Sequence, residues 1–312
     1  VNERLSGPIA QPPHSPSETS KRIIRGILLM CTAALLFPVM NGFAKALIVH
    51  YHPTQIVWAR NAGHLVFLLI LFVPRIGLLP LFRCNQPLAQ MSISLLLLVS
   101  TAMMFVALEY MPLANASALI FTAPLIVTLL SVLLLKEKVG LSRWLAVLVG
   151  FAGMLIVMRP GSALFHWAAF LVLGSAASYA MYQIVMRRIA GADTPETTAV
   201  YSVVLSTILM SFIVPFFWKT PETLLHLMMF CGMGVIGGIG HYCIAHAMAL
   251  APASTVSPFN YVQILGAIIF DYMVFTTFPD LWTWVGAAVI AGSGIYLLLH
   301  EARGESKSGN PA

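Results

Sequence analysis

Most of the side chains in this sequence that could do chemistry lie inside long apolar blocks, out of reach of water. Asn41 and Lys45 stand four residues apart in one block, and Arg60 and His64 four apart in the next, so each pair shares a helical face. A Lys, Arg or Asp at the centre of a membrane helix costs roughly 2.5–3.5 kcal/mol, so such groups face protein or a water-filled cavity. One reading makes these four residues a cavity wall, with Lys45 or Arg60 attracting a substrate carboxylate. The other has Lys45 snorkelling to the outer interface and Arg60 tying down carbonyls at a helix end.

Tyr179, Tyr182 and Gln183 fall at spacings of three and four, which gives one polar-aromatic face. Such a wall, apolar with hydrogen-bonding tips, suits an aromatic or amphipathic solute; the same face could serve helix packing alone. Among His241, Tyr242 and His246, the last two share a face. The interval from His241 to His246 does not match the His-Glu-x-x-His helix of a zinc hydrolase, so neither a metal nor a cofactor is expected. A histidine on a water-lined path can take up a proton near neutral pH, whereas one in the core only packs. Asn260 and Gln263 are neutral candidates for the same cavity, and Asp271 lies nearer a helix end. Glu109 reads as an exposed cap, and Glu137, between Lys136 and Lys138, as a salt-bridging residue at the membrane edge. No nucleophile with an adjacent base and no paired carboxylates occur at depth, which argues against an intramembrane enzyme. No ring of charge or filter loop marks a channel.

Glycine and proline shape the backbone that would carry these groups. Gly232 to Gly237 fits G-x-G-x-x-G, but no strand precedes it, and the dinucleotide reading fails. Gly234 and Gly238 instead have the spacing that lets two membrane helices approach closely. Pro38, Pro124 and Pro258 interrupt apolar blocks and are expected to free carbonyls at depth, either shaping a cavity or easing packing.

The positioning elements must be membrane helices. Of the 312 residues, 59% are hydrophobic and 9% charged, against roughly 25% charged in a soluble domain. The mean hydropathy of +0.88 is concentrated in blocks of about 20 residues, the length that crosses a bilayer. Spans are predicted near 24–48, 54–73, 89–110, 113–135, 140–158, 165–187, 197–217, 225–250, 254–276 and 280–300. The four cysteines lack paired spacing and read as packing residues. The net charge of +6 arises from basic residues between the blocks, where they orient a membrane protein, and nucleic acid drops out as a partner. All but Lys45, Arg60, Arg159 and Lys219 of the 17 Lys and Arg fall in segments that a cytoplasmic N-terminus places inside, which puts both termini in the cytoplasm. Residues 1–22, rich in Pro and Ser, are expected to form a disordered cytoplasmic tail, and residues 301–312 a cytoplasmic C-terminal tail.

The chain also resembles itself at an offset of about 140 residues, Pro112 and Trp144 answering to Pro252 and Trp284. This predicts a five-helix repeat over 23–160 and a second over 161–300. An odd helix count inverts the second copy, and a substrate site then lies near the midplane between the halves.

Pro124, the Lys136-Glu137-Lys138 turn, Trp144, Gly150 and Gly153 in the first half, with Pro258, Trp284, Gly286 and Gly292 in the second, resemble the drug/metabolite transporter superfamily in its ten-helix EamA-type branch. The acid of that turn has no counterpart in the second half, where Phe275-Thr276-Thr277-Phe278 stands. The resemblance implies an inner-membrane secondary transporter of a small organic solute, with ten helices as two inverted repeats around a central cavity, working by alternating access. The look is closest to exporters of amino acids, the YddG-like exporters of aromatic ones included; multidrug and vitamin or nucleoside permeases are the alternatives among carriers.

Overall fold

The computed structural model describes residues 16–110, 116, 119, 120, 122–158, 167–264 and 281–308. Among them the chain is nearly all helix: α1 (Pro16–Leu47), α2 (Pro53–Ile76), a short α3 (Leu78–Phe82), α4 (Pro87–Tyr110), α5 (Ala123–Leu135), α6 (Leu141–Met158), α7 (Ala168–Ile189), α8 (Pro195–Ile213), α9 (Leu224–Leu250), α10 (Ala253–Val256) and α11 (Leu281–Ser308). Six of these helices, α1, α2, α4, α7, α8 and α9, are long and apolar enough to cross a membrane, and shorter apolar helices lie in α5, α6 and α11. The span predicted over 254–276 begins as α10 and a 3-10 stretch, Ser257–Val262, and then lies mostly outside the described residues. Asp271, Phe275–Phe278 and Pro112 are outside them too.

Helix ends follow local chemistry. α2 opens on Pro53, whose missing N–H costs nothing in a first turn, after the His52 ring accepts from the Thr54 amide; it stops at Gly77, φ +86°. Thr194 and Thr223 cap α8 and α9 by accepting from the amides of Thr197 and His226. Two expectations need correction. Residues 16–22 are not an irregular tail but the first turns of α1, which carries Glu18 in its first turn, and α11 continues to Ser308 past the expected end of its span. An apolar block marks only the stretch that suits lipid, whereas a helix runs on into water as long as its own hydrogen bonds hold. Pro124 stands in the first turn of α5, where no amide is needed, just after the turn at Thr122 that follows helical residues 119 and 120. Pro38 does lie inside α1, and Pro258 within the 3-10 stretch.

Burial is inverted relative to a water-soluble protein. Phe170 is 76% exposed and Ile70 70%, whereas Arg60 is 2% and His64 and Gln183 0% exposed. Apolar side chains facing outward and polar ones inward suit a protein with lipid as its solvent. The helices pair as α1 with α9, α4 with α7, α6 with α11, and α2 with α8; α9 also packs on α2, α8 on α4, α5 on α7, and the Ser257–Val262 stretch on α1. The α2–α9 contact is backbone on backbone: a Cβ on Gly234 would stand 2.5 Å from the carbonyl carbon of Gly63. Gly238 likewise faces the Phe67 ring.

At the end of the bundle where α5 stops, Lys136 takes the left-handed conformation (φ 54°), and the Glu137 amide turns back to Ser131 O at 3.1 Å. That cap aims the Glu137 carboxylate at the start of α10, where it accepts from the amides of Ala253 and Ser254, both at 3.1 Å, and from Ser254 Oγ at 2.7 Å. Arg187 Nε lies 3.5 Å from the same carboxylate, while Arg187 Nη1 donates to Met248 O at 2.8 Å. Glu137 and Arg187 together thus draw in the ends of α5, α7 and α9 and the start of α10.

Candidate functional site

Between α1, α2, α4, α7 and α9 lies a small cavity of about 80 Å³, less than the roughly 300–1,000 Å³ typical of small-molecule sites. Aromatic and thioether groups of Phe37, Met40, Met104, Phe105 and Tyr179 make its wall apolar, and Asn41, Arg60, Thr101, His241 and Gln263 bring polar atoms into it.

Arg60 organises the polar side. A guanidinium has five N–H groups and accepts nothing. Nε donates to Met40 Sδ at 3.4 Å, Nη1 to Asn61 Oδ1 at 3.0 Å and Thr101 Oγ1 at 3.1 Å, and Nη2 to His241 Nε2 at 2.6 Å. Four N–H groups are thereby placed, and one on Nη2 is left over. Every partner is neutral, and among the described residues no carboxylate pairs with Arg60. A buried cation without a counter-charge is costly by several kcal/mol, and a group that supplies acceptors or negative charge beside it recovers part of that.

The network continues from His241. Its Nδ1 lies 2.9 Å from the Tyr182 hydroxyl, and its ring stacks at 5.5 Å and 17° on that of His64. Tyr182 in turn stacks on Tyr179 at 5.7 Å. The buried hydroxyl of Tyr179, the amide nitrogen of Asn61 and both amide atoms of Gln183 make no well-formed hydrogen bond among the described residues. Polar capacity is therefore in excess around the cavity.

The structure brings together Asn41, Arg60, Tyr179, His241 and Gln263 at the cavity, with His64 and Tyr182 directly behind them. Asn260 and Gln183 are buried but do not line it. Lys45 is apart: its Nζ donates to Leu108 O at 2.6 Å, beside a separate hollow with Glu109 and Tyr110. A four-carbon stem reaches a helix-end carbonyl more easily than it stays in oil, so of the two readings of Lys45 the anchoring one describes its position. Tyr242 and His246 also lie elsewhere. Tyr242 donates to Glu196 Oε1 at 2.9 Å, and His246 Nε2 is 2.9 Å from the Tyr242 hydroxyl, near the end of α9. They are one turn apart and follow Glu196 on α8, while His241 points the other way.

Thr101, Asn61 and Met40 were not among the sequence candidates. Asn61 adjoins Arg60, and Thr101 follows Ser94 by seven residues in an apolar block, a two-turn spacing that marks an inward stripe.

Comparison with known proteins gives a consistent picture. Residues 24–159 and 166–299 each match the EamA-like transporter family. A riboflavin transporter of Vibrio cholerae is 28% identical over 93% of this chain and 98% of its own length. One from Rhizobium johnstonii is 27% identical, covering 92% and 95%. An S-adenosylmethionine uptake transporter of Rickettsia prowazekii is 22% identical over 93% and 98%. A solved crystal structure superposes with a TM-score of 0.71 over 93% of this chain and 99% of the other at 18% identity, a likeness of fold.

Proposed function

Because this chain belongs to the EamA-like transporter family, we propose that its cavity carries a flat heteroaromatic metabolite whose ring edge presents hydrogen-bond acceptors, with riboflavin the first cargo to test. The protein is a multi-pass membrane transporter of a small molecule and not an enzyme. The observation that carries the cargo assignment is Arg60, a buried cation with only neutral partners, set in an aromatic-walled cavity. Riboflavin offers a planar ring system for the aromatic wall and ring carbonyls for the guanidinium. S-adenosylmethionine, named for other relatives, also joins a flat nitrogen heterocycle to acceptor groups. Export of aromatic amino acids is the second reading, favoured by the same unpaired Arg60, since an α-carboxylate would supply its counter-charge.

Ten spans in two inverted repeats, with both termini cytoplasmic and alternating access around the cavity, complete the proposal. Exchanging the first five spans for the last five maps the α1–α9 pair onto α7–α4, maps α2–α9 onto α8–α4, and leaves α2–α8 and α6–α11 paired with themselves. A twofold relation requires that pattern, and it supports the repeat. The match of each half to one family adds to that support. The Glu137 bracket then lies at the cytoplasmic end.

The test is uptake of tritiated riboflavin by purified protein in liposomes, with competition by excess tryptophan or S-adenosylmethionine. Saturable uptake, blocked by unlabelled riboflavin and not by the others, is the expected result. Tryptophan uptake in its place would transfer the assignment to amino acids, and riboflavin counts no higher than in protein-free vesicles would remove riboflavin as cargo.

A further inference from the structure

We infer that His241 is a positioning residue which, by holding one tautomer, turns the polar side of the cavity into a row of donors and so selects cargo with an acceptor edge. The inference rests on the function proposed above but has a readout of its own. It begins with proton bookkeeping. Arg60 can only donate, so at 2.6 Å from Nη2 the His241 Nε2 atom must carry its lone pair. A second positive charge beside the guanidinium is disfavoured, and the ring is neutral with its single proton on Nδ1. That proton is donated to the Tyr182 oxygen 2.9 Å away.

Tyr182 is thereby made an acceptor toward His241, and its phenolic hydrogen is free to point elsewhere, with no second partner among the described residues. Arg60 and Tyr179 both line the cavity, and the remaining Nη2–H of Arg60 and the Tyr179 hydroxyl add to its donors. Had His241 carried its proton on Nε2, it would face Arg60 donor to donor and turn a lone pair to Tyr182, and the arrangement would fall apart. One ring therefore fixes the hydrogen-bond polarity of α2 and α7 from its seat on α9.

His241 also packs, at 5.2 Å from the Phe37 ring and 5.5 Å from that of His64. Two substitutions separate packing from polarity. In His241→Gln the amide oxygen can accept from Arg60 and the amide nitrogen can donate to Tyr182, while the ring stack is lost. In His241→Phe the stack is kept and the polarity is lost. With variants matched for detergent-soluble yield, riboflavin uptake is expected to stay within about threefold of wild type for Gln and to fall on the order of tenfold or more for Phe, mainly as a raised half-saturation concentration. Phe carrying as well as Gln, or better, overturns the inference. Independently of any cargo, 15N-histidine NMR of the purified protein reads the tautomer directly. The ring signals that vanish in both variants must show a protonated Nδ1 and a bare Nε2 at neutral pH. An Nε2–H or doubly protonated ring overturns the inference even if riboflavin is carried. If the wild type carries no riboflavin, the cargo assignment falls and the tautomer alone decides for or against the role of His241.

Discussion

Arg60→Met is expected to lower riboflavin uptake by about 100-fold while leaving the protein as stable as wild type or more so. A hydrogen bond to a charged group contributes about 1.5–3 kcal/mol, and at 1.4 kcal/mol per tenfold the one from the remaining Nη2–H to the cargo accounts for a loss of up to that order. Stability moves the other way because Arg60 has no described carboxylate partner to be stranded. Exchanging a buried, uncompensated cation for an apolar chain of similar length removes a desolvation cost, and the neutral acceptors it leaves are individually cheaper to strand. Arg60→Lys keeps the charge but loses the planar fork that spans Asn61, Thr101 and His241, and an intermediate loss is expected. Thermal denaturation in detergent alongside liposome uptake checks both parts. Wild-type uptake by the Met variant would show that the cargo does not bind Arg60, and a large fall in its melting temperature would mean that the guanidinium is paired in the membrane after all.

Gly234→Leu should abolish recovery of folded protein, and Gly234→Ala should destabilise by about 1–3 kcal/mol. Helix propensity alone argues the reverse, since alanine is better than glycine in a helix interior by about 1 kcal/mol. Contact decides the sign. The added carbon would lie 2.5 Å and 2.6 Å from backbone atoms of Gly63 and 2.9 Å from the His64 amide, none of which can rotate aside, so α2 and α9 must separate. The same two helices hold Arg60 and His241 at 2.6 Å, and transport should fall along with stability. Gly292 provides the control, because a Cβ there meets nothing within 4 Å among the described residues; Gly292→Ala is expected to be neutral or slightly stabilising. Monodisperse yield and melting temperature by fluorescence-detected size exclusion test the pair. Equal behaviour of the two alanine variants would refute the close approach.

The sequence announces its membrane helices far better than which way they face. Apolar blocks and the positions of Pro53, Pro87 and Pro195 place helix starts within a few residues, because lipid demands long apolar runs and proline suits a first turn. Facing is another matter. A span that is apolar all round has no amphipathic stripe, so only its rare polar residues report on orientation. That signal works for Arg60 and Tyr179, which have no way to reach water. It misleads for Lys45, whose stem escapes to Leu108 O, and for Tyr242 and His246, whose partner Glu196 is remote in sequence. Thr101 escapes notice for the opposite reason: small hydroxyls are frequent in membrane helices and often bond their own backbone, as Ser92 does to Leu88 O, so its two-turn spacing from Ser94 marks an inward stripe but not the cation it meets.

Under the proposed alternating access, the carrier with nothing aboard must turn around while its guanidinium has only dipoles for company. With a passenger whose oxygens lie against that charge, the same turn is made with the field partly quenched. The vacant half of the cycle is then the slow one, and trading passengers outpaces one-way filling. Vesicles preloaded with unlabelled riboflavin should therefore accumulate tritiated riboflavin several-fold faster than empty ones, a ratio of the order expected from about 1 kcal/mol of relief. Identical rates would mean that water keeps the charge company throughout.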